Sequence, residues 1–253
     1  MTLVIAISNL KGGVAKTTTC LSLGAALAEM GHSVLLVDLD PQAHLTLSLG
    51  FKPARLHRTS RDALLGHTSL VAASRESEVF ALDIVPANQE LALLNKILYT
   101  QPGYEFHLKK RLQTLPPNLY EVVLLDCPPS IDVLTINALT AADRLLIPVQ
   151  CEYYAARSLQ QVLELAKRVQ QRTNPRLQYQ ILVTMYDRRN KICRLILDQL
   201  RANLNPLLLH TIIEVDTKLR ESPAFGQPVT VYAPHTRGAE QYRALAQELM
   251  NHA

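Results

Sequence analysis

The chain has 253 residues, 48% of them hydrophobic and 19% charged, which is enough length and apolar content for one large globular domain and excludes a disordered chain. No apolar run approaches the ~18–20 residues of a membrane span, Met1-Thr2 leads directly into a short strand rather than a leader, and Cys20, Cys127, Cys151 and Cys193 form no C-x-x-C pair for zinc or iron–sulfur binding, so a cytoplasmic protein is expected. The formal charge of +4 is uneven: residues 1–150 hold 12 Lys and Arg against 13 Asp and Glu, whereas residues 151–253 hold 14 against 9.

The first predicted elements are the strand Leu3-Val4-Ile5-Ala6-Ile7, a glycine loop, and a helix carried by Leu21, Leu23, Ala25, Ala26 and Leu27. Between strand and helix stands Lys11-Gly12-Gly13-Val14-Ala15-Lys16-Thr17-Thr18. A loop placed there aims several backbone N–H groups and the positive end of a helix dipole at one point, where a phosphate chain can sit. Lys16 then reaches the β- and γ-phosphates, and the Thr17 hydroxyl takes a coordination position on Mg²⁺. The loop departs from the general pattern G-x-x-x-x-G-K-[ST], with Leu10 and Ala15 where the glycines belong and a second lysine, Lys11, at its start. An alanine at position 15 calls for a φ compatible with a Cβ.

The run Val34 to Val37 ends in Asp38-Leu39-Asp40-Pro41-Gln42 and reads as a buried parallel strand delivering carboxylates to the end where ligands gather. By the strand period of two, Asp38 and Asp40 share a side facing the phosphate loop. Capping of the segment 43–49 is the alternative role for Asp40. Residues 50–80, with Lys52, Arg55, Arg58 and Arg61 around Pro53, read as a solvated loop and a short helix. A short strand at 81–86 and amphipathic helical patterns at 89–98 and 106–115 follow. The strand 121–126 delivers Asp126 to its tip, as phosphate-loop machinery requires for holding Mg²⁺ through water. Pro128 and Pro129 then fix the backbone where a γ-phosphate would be sensed. For Asp126 the alternative is a cap on the helix at 133–139.

A strand at 144–149, a long helix at 155–172 and a strand at 179–184 come next, and then a helix at 190–204 with Arg188, Arg189, Lys191 and Arg194 at its start. A strand at 210–214 leads to Lys218 and Arg220. Helix starts favour acidic groups, so a basic cluster there asks for another reason. Phosphate-backbone binding supplies one, beside the plainer reading of a solvated basic face. Alternating strands and helices predict a single doubly wound α/β domain over 1–253, with a mostly parallel sheet, helices on both faces and the ligand at the strands' carboxyl ends.

The spacing K-G-G-x-x-K-T-[ST] at 11–18 resembles the variant phosphate loop of the ParA/MinD class of ATPases. The phrases at 38–42, 126–129, 148–155, 182–187, 221–226 and 237–240 also look like the ParA pattern and occur in its order, so the whole chain is similar to a small chromosomal-type ParA without an N-terminal helix-turn-helix domain. The resemblance implies a P-loop NTPase with ATP and Mg²⁺ as cofactors and weak intrinsic ATPase activity. It implies an ATP-sandwich homodimer in which Lys11 reaches the partner's nucleotide, with Gly12 close to that interface. In its first switch Asp40 helps position the attacking water near Mg²⁺ and Asp38 supports the site. Its second switch holds Asp126 and Pro128.

The same resemblance implies non-specific binding of nucleoid DNA by the ATP-loaded dimer, through Arg189 and Lys218 with Arg188 and Arg220 beside them. A ParB-like or cargo-adaptor protein would stimulate hydrolysis and release the dimer, segregating chromosome or plasmid DNA. Positioning of a protein cargo such as carboxysomes by the same cycle is the alternative. A MinD-like membrane cycle calls for a basic amphipathic tail, and Leu245 to Ala253 carries no Lys or Arg, so no membrane partner is expected. The pattern breaks at Ile213-Glu214-Val215-Asp216, where relatives usually read I-P-R-N. Asp216 keeps an acceptor for the adenine amino group but lacks an amide donor. Glu214 and Val215 replace residues that usually add to the DNA face, which lowers the expected affinity.

Overall fold

The computed structural model describes residues 2–152 and 155–251. Tyr153 and Tyr154 of the phrase at 148–155, like the terminal Met1, His252 and Ala253, lie outside the described residues.

Strand β1 (Leu3–Ile7) feeds helix α1 (Lys16–Glu29), and β2 (Val34–Asp38) feeds the short α2 (His44–Ser48). Helices α3 (Ser60–Leu65) and α4 (Leu70–Ala73) precede the two-residue β3 (Arg75–Glu76) and β4 (Leu82–Val85). Then come α5 (Leu94–Leu98), α6 (His107–Leu112), β5 (Val122–Asp126), α7 (Val133–Ala141), β6 (Arg144–Gln150) and α8 (Ala155–Arg172). The chain closes with β7 (Gln178–Tyr186), α9 (Lys191–Leu204), β8 (Leu208–Glu214), α10 (Thr217–Glu221), α11 (Val229–Tyr232) and α12 (Arg237–Asn251).

The strands form one 8-stranded sheet in the order β3-β4-β2-β5-β1-β6-β7-β8. Every pair is parallel except β3 with β4. This is the doubly wound α/β architecture expected from the alternation of elements. The strands read as continuous apolar runs because both faces are covered. Along β1, Val4 and Ala6 face one core while Ile5 and Ile7 face the other. One core is closed by α1 and α12, through Leu21, Leu23, Tyr242 and Leu245. The opposite core is closed by α5 to α9, through Leu94, Leu134, Val162 and Leu197. Helix α1 lies unusually close to the sheet: a Cβ on Gly24 would sit 2.7 Å from Leu36 Cδ2.

Three sequence expectations are corrected. Residues 60–73 are two short helices whose Ala63, Leu64 and Leu70 are buried, because Thr59 and Asp62 form a capping box that starts α3. The segment 89–98 is split into a 3₁₀ turn over Gln89–Leu93 and a short helix, whereas the helix expected at 106–115 is present but shorter, over His107–Leu112 after a 3₁₀ turn at Tyr104–Phe106. Helix α9 begins at Lys191 with Asn190 as its cap, so Arg188 and Arg189 stand in the preceding turn and not on the helix.

Candidate functional site

The carboxyl ends of β1, β2 and β5 are adjacent because β5 pairs with both of the others, and Ile7, Asp38 and Asp126 lie in register across them. Whatever follows these strands therefore meets in one place. The loop after β1 is held from below: Asn9 donates to Pro148 O at 2.7 Å and accepts from Lys11 N at 3.0 Å, while Thr184 donates to Val14 O at 3.0 Å. Gly13 takes φ 76 and Ala15 φ 64, both left-handed. The expectation for Ala15 is thus overturned, since its Cβ is carried in the region where an L side chain is strained, at a cost of about 1–2 kcal/mol. Helix α1 starts with no side-chain cap and no acid in its first turn, so its leading N–H groups remain available to an anion.

Lys16 is buried, and its Nζ donates to Lys11 O at 3.1 Å. Burial lowers its pKa, opposed by the charges of Asp126, Cys127 and Asp40. Thr17 Oγ1 donates to Asp126 Oδ2 at 2.7 Å. The other oxygen of Asp126 is buried without a hydrogen-bond partner among the described residues. Burial first, and the nearby Asp38 second, push the Asp126 carboxyl well above the ordinary carboxylate range. Asp126 does not cap the next helix, because Asp132 accepts from Thr135 N there. An orphaned carboxylate oxygen beside a threonine hydroxyl fits Mg²⁺, which binds through one or two protein oxygens plus water and phosphate rather than in an all-protein cage. Among the described residues no cluster of three or more His, Cys, Asp or Glu forms such a cage.

Asp38 is fully buried and turned toward α2: Oδ2 accepts from Thr46 N at 2.9 Å and Thr46 Oγ1 at 2.7 Å, and Oδ1 accepts from Asp40 N at 3.0 Å. Burial pushes its pKa up to about 6 against these bonds. Asp38 thereby orders the turn that presents Asp40. Asp40 lies beyond the strand end and accepts from Gln42 N at 2.9 Å, while α2 has no side-chain cap. The two aspartates therefore do not act as a same-face pair on a strand, since one props the other.

A cavity of about 720 Å³ opens beside these groups, lined by Gly12, Gly13, Ala15, Lys16, Thr17, Thr18 and Asp40 from the β1–α1 loop, the start of α1 and the turn after β2, and by Glu214, Val215, Asp216 and Arg220 from the end of β8 into α10, with Asp38 and Asp126 buried outside the lining. Pro129 lines it, whereas the expected Pro128 is buried. Asp216 reaches the cavity, but its carboxylate is committed to backbone: Oδ1 accepts from Lys218 N at 2.9 Å and Oδ2 from Gly238 N at 2.9 Å. Spare lone pairs are what it has left for a base.

Several contributors carried no motif. Thr46 holds Asp38, and Met185, at φ 51, lines the cavity. Tyr242 from α12 also lines it and shares a 3.1 Å hydrogen bond with Thr19. Glu152 forms an ion pair with Lys11 within the same chain. Glu152 stands inside a sequence phrase that had been read as a whole, with no role for that residue.

The basic candidates stand at the rim, each beside a carboxylate or the cavity. Arg189 bonds Asp187 through Nε and Nη2, both at 3.1 Å. Arg188 pairs with Glu214, and Lys218 with Glu221 at 2.7 Å. Arg220 lines the cavity. Arg188 and Arg189 precede the helix and have their charge answered by neighbouring carboxylates, whereas Lys191 and Arg194 stand in the first turn of α9, which holds no acid.

Residues 2–179 match the family described as AAA domain. The chain is 38% identical over 250 residues to the chromosome partitioning protein ParA of Caulobacter vibrioides, covering 98% of this chain and 94% of that protein. It is 40% identical over 247 residues to the sporulation initiation inhibitor protein Soj of Bacillus subtilis, covering 97% of each. Among solved structures it is similar to the cobyrinic acid a,c-diamide synthase of Mycobacterium smegmatis with bound ADP and magnesium, at 40% identity and a TM-score of 0.87, covering 100% of this chain and 95% of that one. No helix among the described residues is long and apolar enough to cross a membrane.

Proposed function

Because this chain belongs to the ParA/MinD family of ATPases, we propose that it is an ATP-dependent partition ATPase, which dimerises around ATP, binds nucleoid DNA without sequence preference and leaves it when a partner stimulates hydrolysis. The observation that carries the nucleotide half of this reading is that Lys16 and Thr17 line the cavity while the half-satisfied Asp126 is buried directly behind Thr17, which donates to it. ATP is held by the loop's backbone N–H groups and by Lys16, with Thr17 and Asp126 holding Mg²⁺. The metal, when bound, supplies positive charge against the phosphate oxygens. Asp40, presented by Asp38 and Thr46, orients a water and accepts its proton. Lys11, once free of Glu152, serves a partner's nucleotide.

Segregation of chromosome or plasmid DNA is the cargo reading favoured by the ParA and Soj relatives, with a ParB-like protein as the activator. Positioning of a protein cargo by the same cycle is the alternative, with a cargo adaptor in the activator's place. An amidating synthesis, suggested by the name of the Mycobacterium smegmatis relative, draws no support from a cysteine nucleophile. All four thiols are buried, the most accessible at 8%, and burial raises the pKa of Cys20, Cys127 and Cys151.

The test is a salt titration of duplex binding with ATP and with ADP, for the wild type, Arg189→Glu and Lys218→Glu. Binding that needs ATP, falls steeply with salt and is strongly weakened by both reversals is expected. Binding indifferent to nucleotide and to both reversals would remove the DNA half and leave an ATP-switched dimer with another attachment.

A further inference from the structure

At the carboxyl end of β8, Glu214 lies under two arginine heads. Its carboxylate accepts from both Nε and Nη2 of Arg188, the Nε bond at 3.0 Å, and from Nη1 of Arg237 at 2.9 Å. Arg237 Nη2 also donates to Val215 O at 3.1 Å, and Glu214 N donates to the Gln241 side chain at 2.9 Å. The side chain of Glu214 is 13% exposed, whereas those of Arg188 and Arg237 are 64% and 49% exposed. The acid is thus fixed on both its backbone and its carboxylate, while the cations it neutralises stay at the surface. Arg194 Nη1 donates to Arg188 O at 2.7 Å, so the turn carrying Arg188 is fixed as well.

A guanidinium paired with a carboxylate has its charge answered and part of its five-donor set spent, so it attracts a phosphate less. Two arginines pinned by one shared acid are therefore two phosphate contacts withheld. Arg189 and Lys218 differ from them in their partners: Asp187 and Glu221 are a third or more exposed, and each serves a single cation. Exposed pairs of that kind exchange readily with solvent ions. Asp187 holds Arg189 bidentately as well, but among these three acids Glu214 alone is both sunk and shared between two cations.

We propose that Glu214 is an acidic clamp that sets the strength of polyanion binding at this rim, holding Arg188 and Arg237 back from the phosphate backbone. The proposal rests on the DNA-binding reading above and names the residue that limits it. The strand end carrying Glu214 is also a wall of the nucleotide cavity, through Glu214, Val215 and Asp216. The clamp therefore sits where the site and the basic rim adjoin.

Glu214→Gln keeps the side chain's length and one acceptor while removing the charge between the two arginines. Mixed-sequence duplex is titrated with salt at saturating ATP analogue and at saturating ADP, with dimer formation followed by light scattering. The proteins are the wild type, Glu214→Gln, the double variant Arg188→Gln/Glu214→Gln, and Glu78→Gln, an exposed acid in the β3–β4 turn at the opposite edge of the sheet. Glu214→Gln is expected to bind about tenfold tighter at fixed salt, with a log–log salt slope steeper by about 1–2 per protomer, as one or two further phosphates are engaged. The double variant should lose the part of the gain owed to Arg188 and keep the part owed to Arg237, falling between wild type and Glu214→Gln, and Glu78→Gln should change neither quantity. A wild-type slope in Glu214→Gln with ATP-dependent binding intact would overturn the clamp and leave the DNA reading standing. A steeper, tighter salt titration for Glu214→Gln in which wild type and variant each bind with the same affinity with ATP and with ADP would keep the clamp and overturn the nucleotide-switched reading. An equal gain in Glu78→Gln would overturn the clamp in favour of net charge alone.

Discussion

Asp126 is a carboxylate with one oxygen bonded to Thr17 and the other buried without a partner, inside a group that also holds Asp38 and Asp40. A buried acceptor left unmade costs about 1–3 kcal/mol, more when it is charged. Asp126→Asn keeps an oxygen for Thr17 and puts an amide N–H among carboxylates, so the ligand-free protein should gain roughly that amount. For a chain of this size about 1 kcal/mol moves the melting temperature by roughly 2–4 °C, so a rise of about 2–12 °C is expected without nucleotide. With ATP the order should reverse in a metal-dependent way. A ligand at about a hundred times its Kd adds about 2.7 kcal/mol, and the part of that increment requiring Mg²⁺ rather than EDTA should vanish in the variant. Differential scanning fluorimetry with no ligand, ATP plus EDTA and ATP plus Mg²⁺ reads both halves. The folded-state pKa of Asp126 is raised, so the folded protein binds the extra proton and regains stability as pH falls; the gap between variant and wild type should narrow toward acid pH. A lower ligand-free melting temperature together with an undiminished Mg²⁺ increment would refute the reasoning.

The remaining expectations follow from the same geometry. Asp40→Ala should bind ATP and dimerise yet turn over at least a hundredfold more slowly, because Lys16 and Thr17 are untouched while water orientation is lost; wild-type single-turnover rates would contradict this. Lys11→Ala should bind ATP as a monomer but fail to dimerise in sedimentation experiments, and ATP-induced dimers at wild-type concentrations would refute its role. Gly12→Val should give the same separation: a Cβ at Gly12 meets nothing within 4 Å inside the protomer, so the chain should fold with its wild-type circular dichroism. Asp38, pushed up to about 6 from 3.8, makes the ligand-free protein lose stability as pH rises between those values, by up to ~1.4 kcal/mol per pH unit, and level off above; urea unfolding that is flat from pH 4 to 6.5 would exclude it.

Legibility followed how local each cause was. The strands carrying the site could be read because burial on both faces writes them as uninterrupted apolar runs, and the phosphate loop because its residues are contiguous. For residues 60–73 the sequence reads as a loop with one short helix where the structure holds two, since their order depends on a capping box and on Ala63, Leu64 and Leu70 meeting the core, which the basic and polar letters between them hide. The left-handed Ala15 is not legible locally because the loop is pinned from outside, by Pro148 O of β6 accepting from Asn9 and by Thr184 of β7 donating to Val14 O. Pairs such as Lys11 with Glu152, 141 positions apart, and Arg188 with Glu214, 26 apart, depend on which strand ends become neighbours, and no spacing rule encodes that. Asp216 was recognised as a cavity residue by position, while its capping of α10 and its bond to Gly238 became visible only in three dimensions.

In the proposed dimer, where each Lys11 serves the partner's nucleotide, the bond between Lys11 and Glu152 would turn protomer chemistry into a concentration threshold. Such an assembly would use both copies of Lys11, so the probability that a random encounter finds them both unbound would be the square of the free fraction in one protomer. A clasp closed in about nine protomers of ten would leave about one encounter in a hundred competent, equivalent to roughly 2.7 kcal/mol withheld from association. Each side needs only a weak, exposed ion pair, yet the symmetric complex feels it twice. A modest shift in how ATP or an activator biases that pair would therefore move the protein between solitary and paired states over a narrow range of cellular abundance.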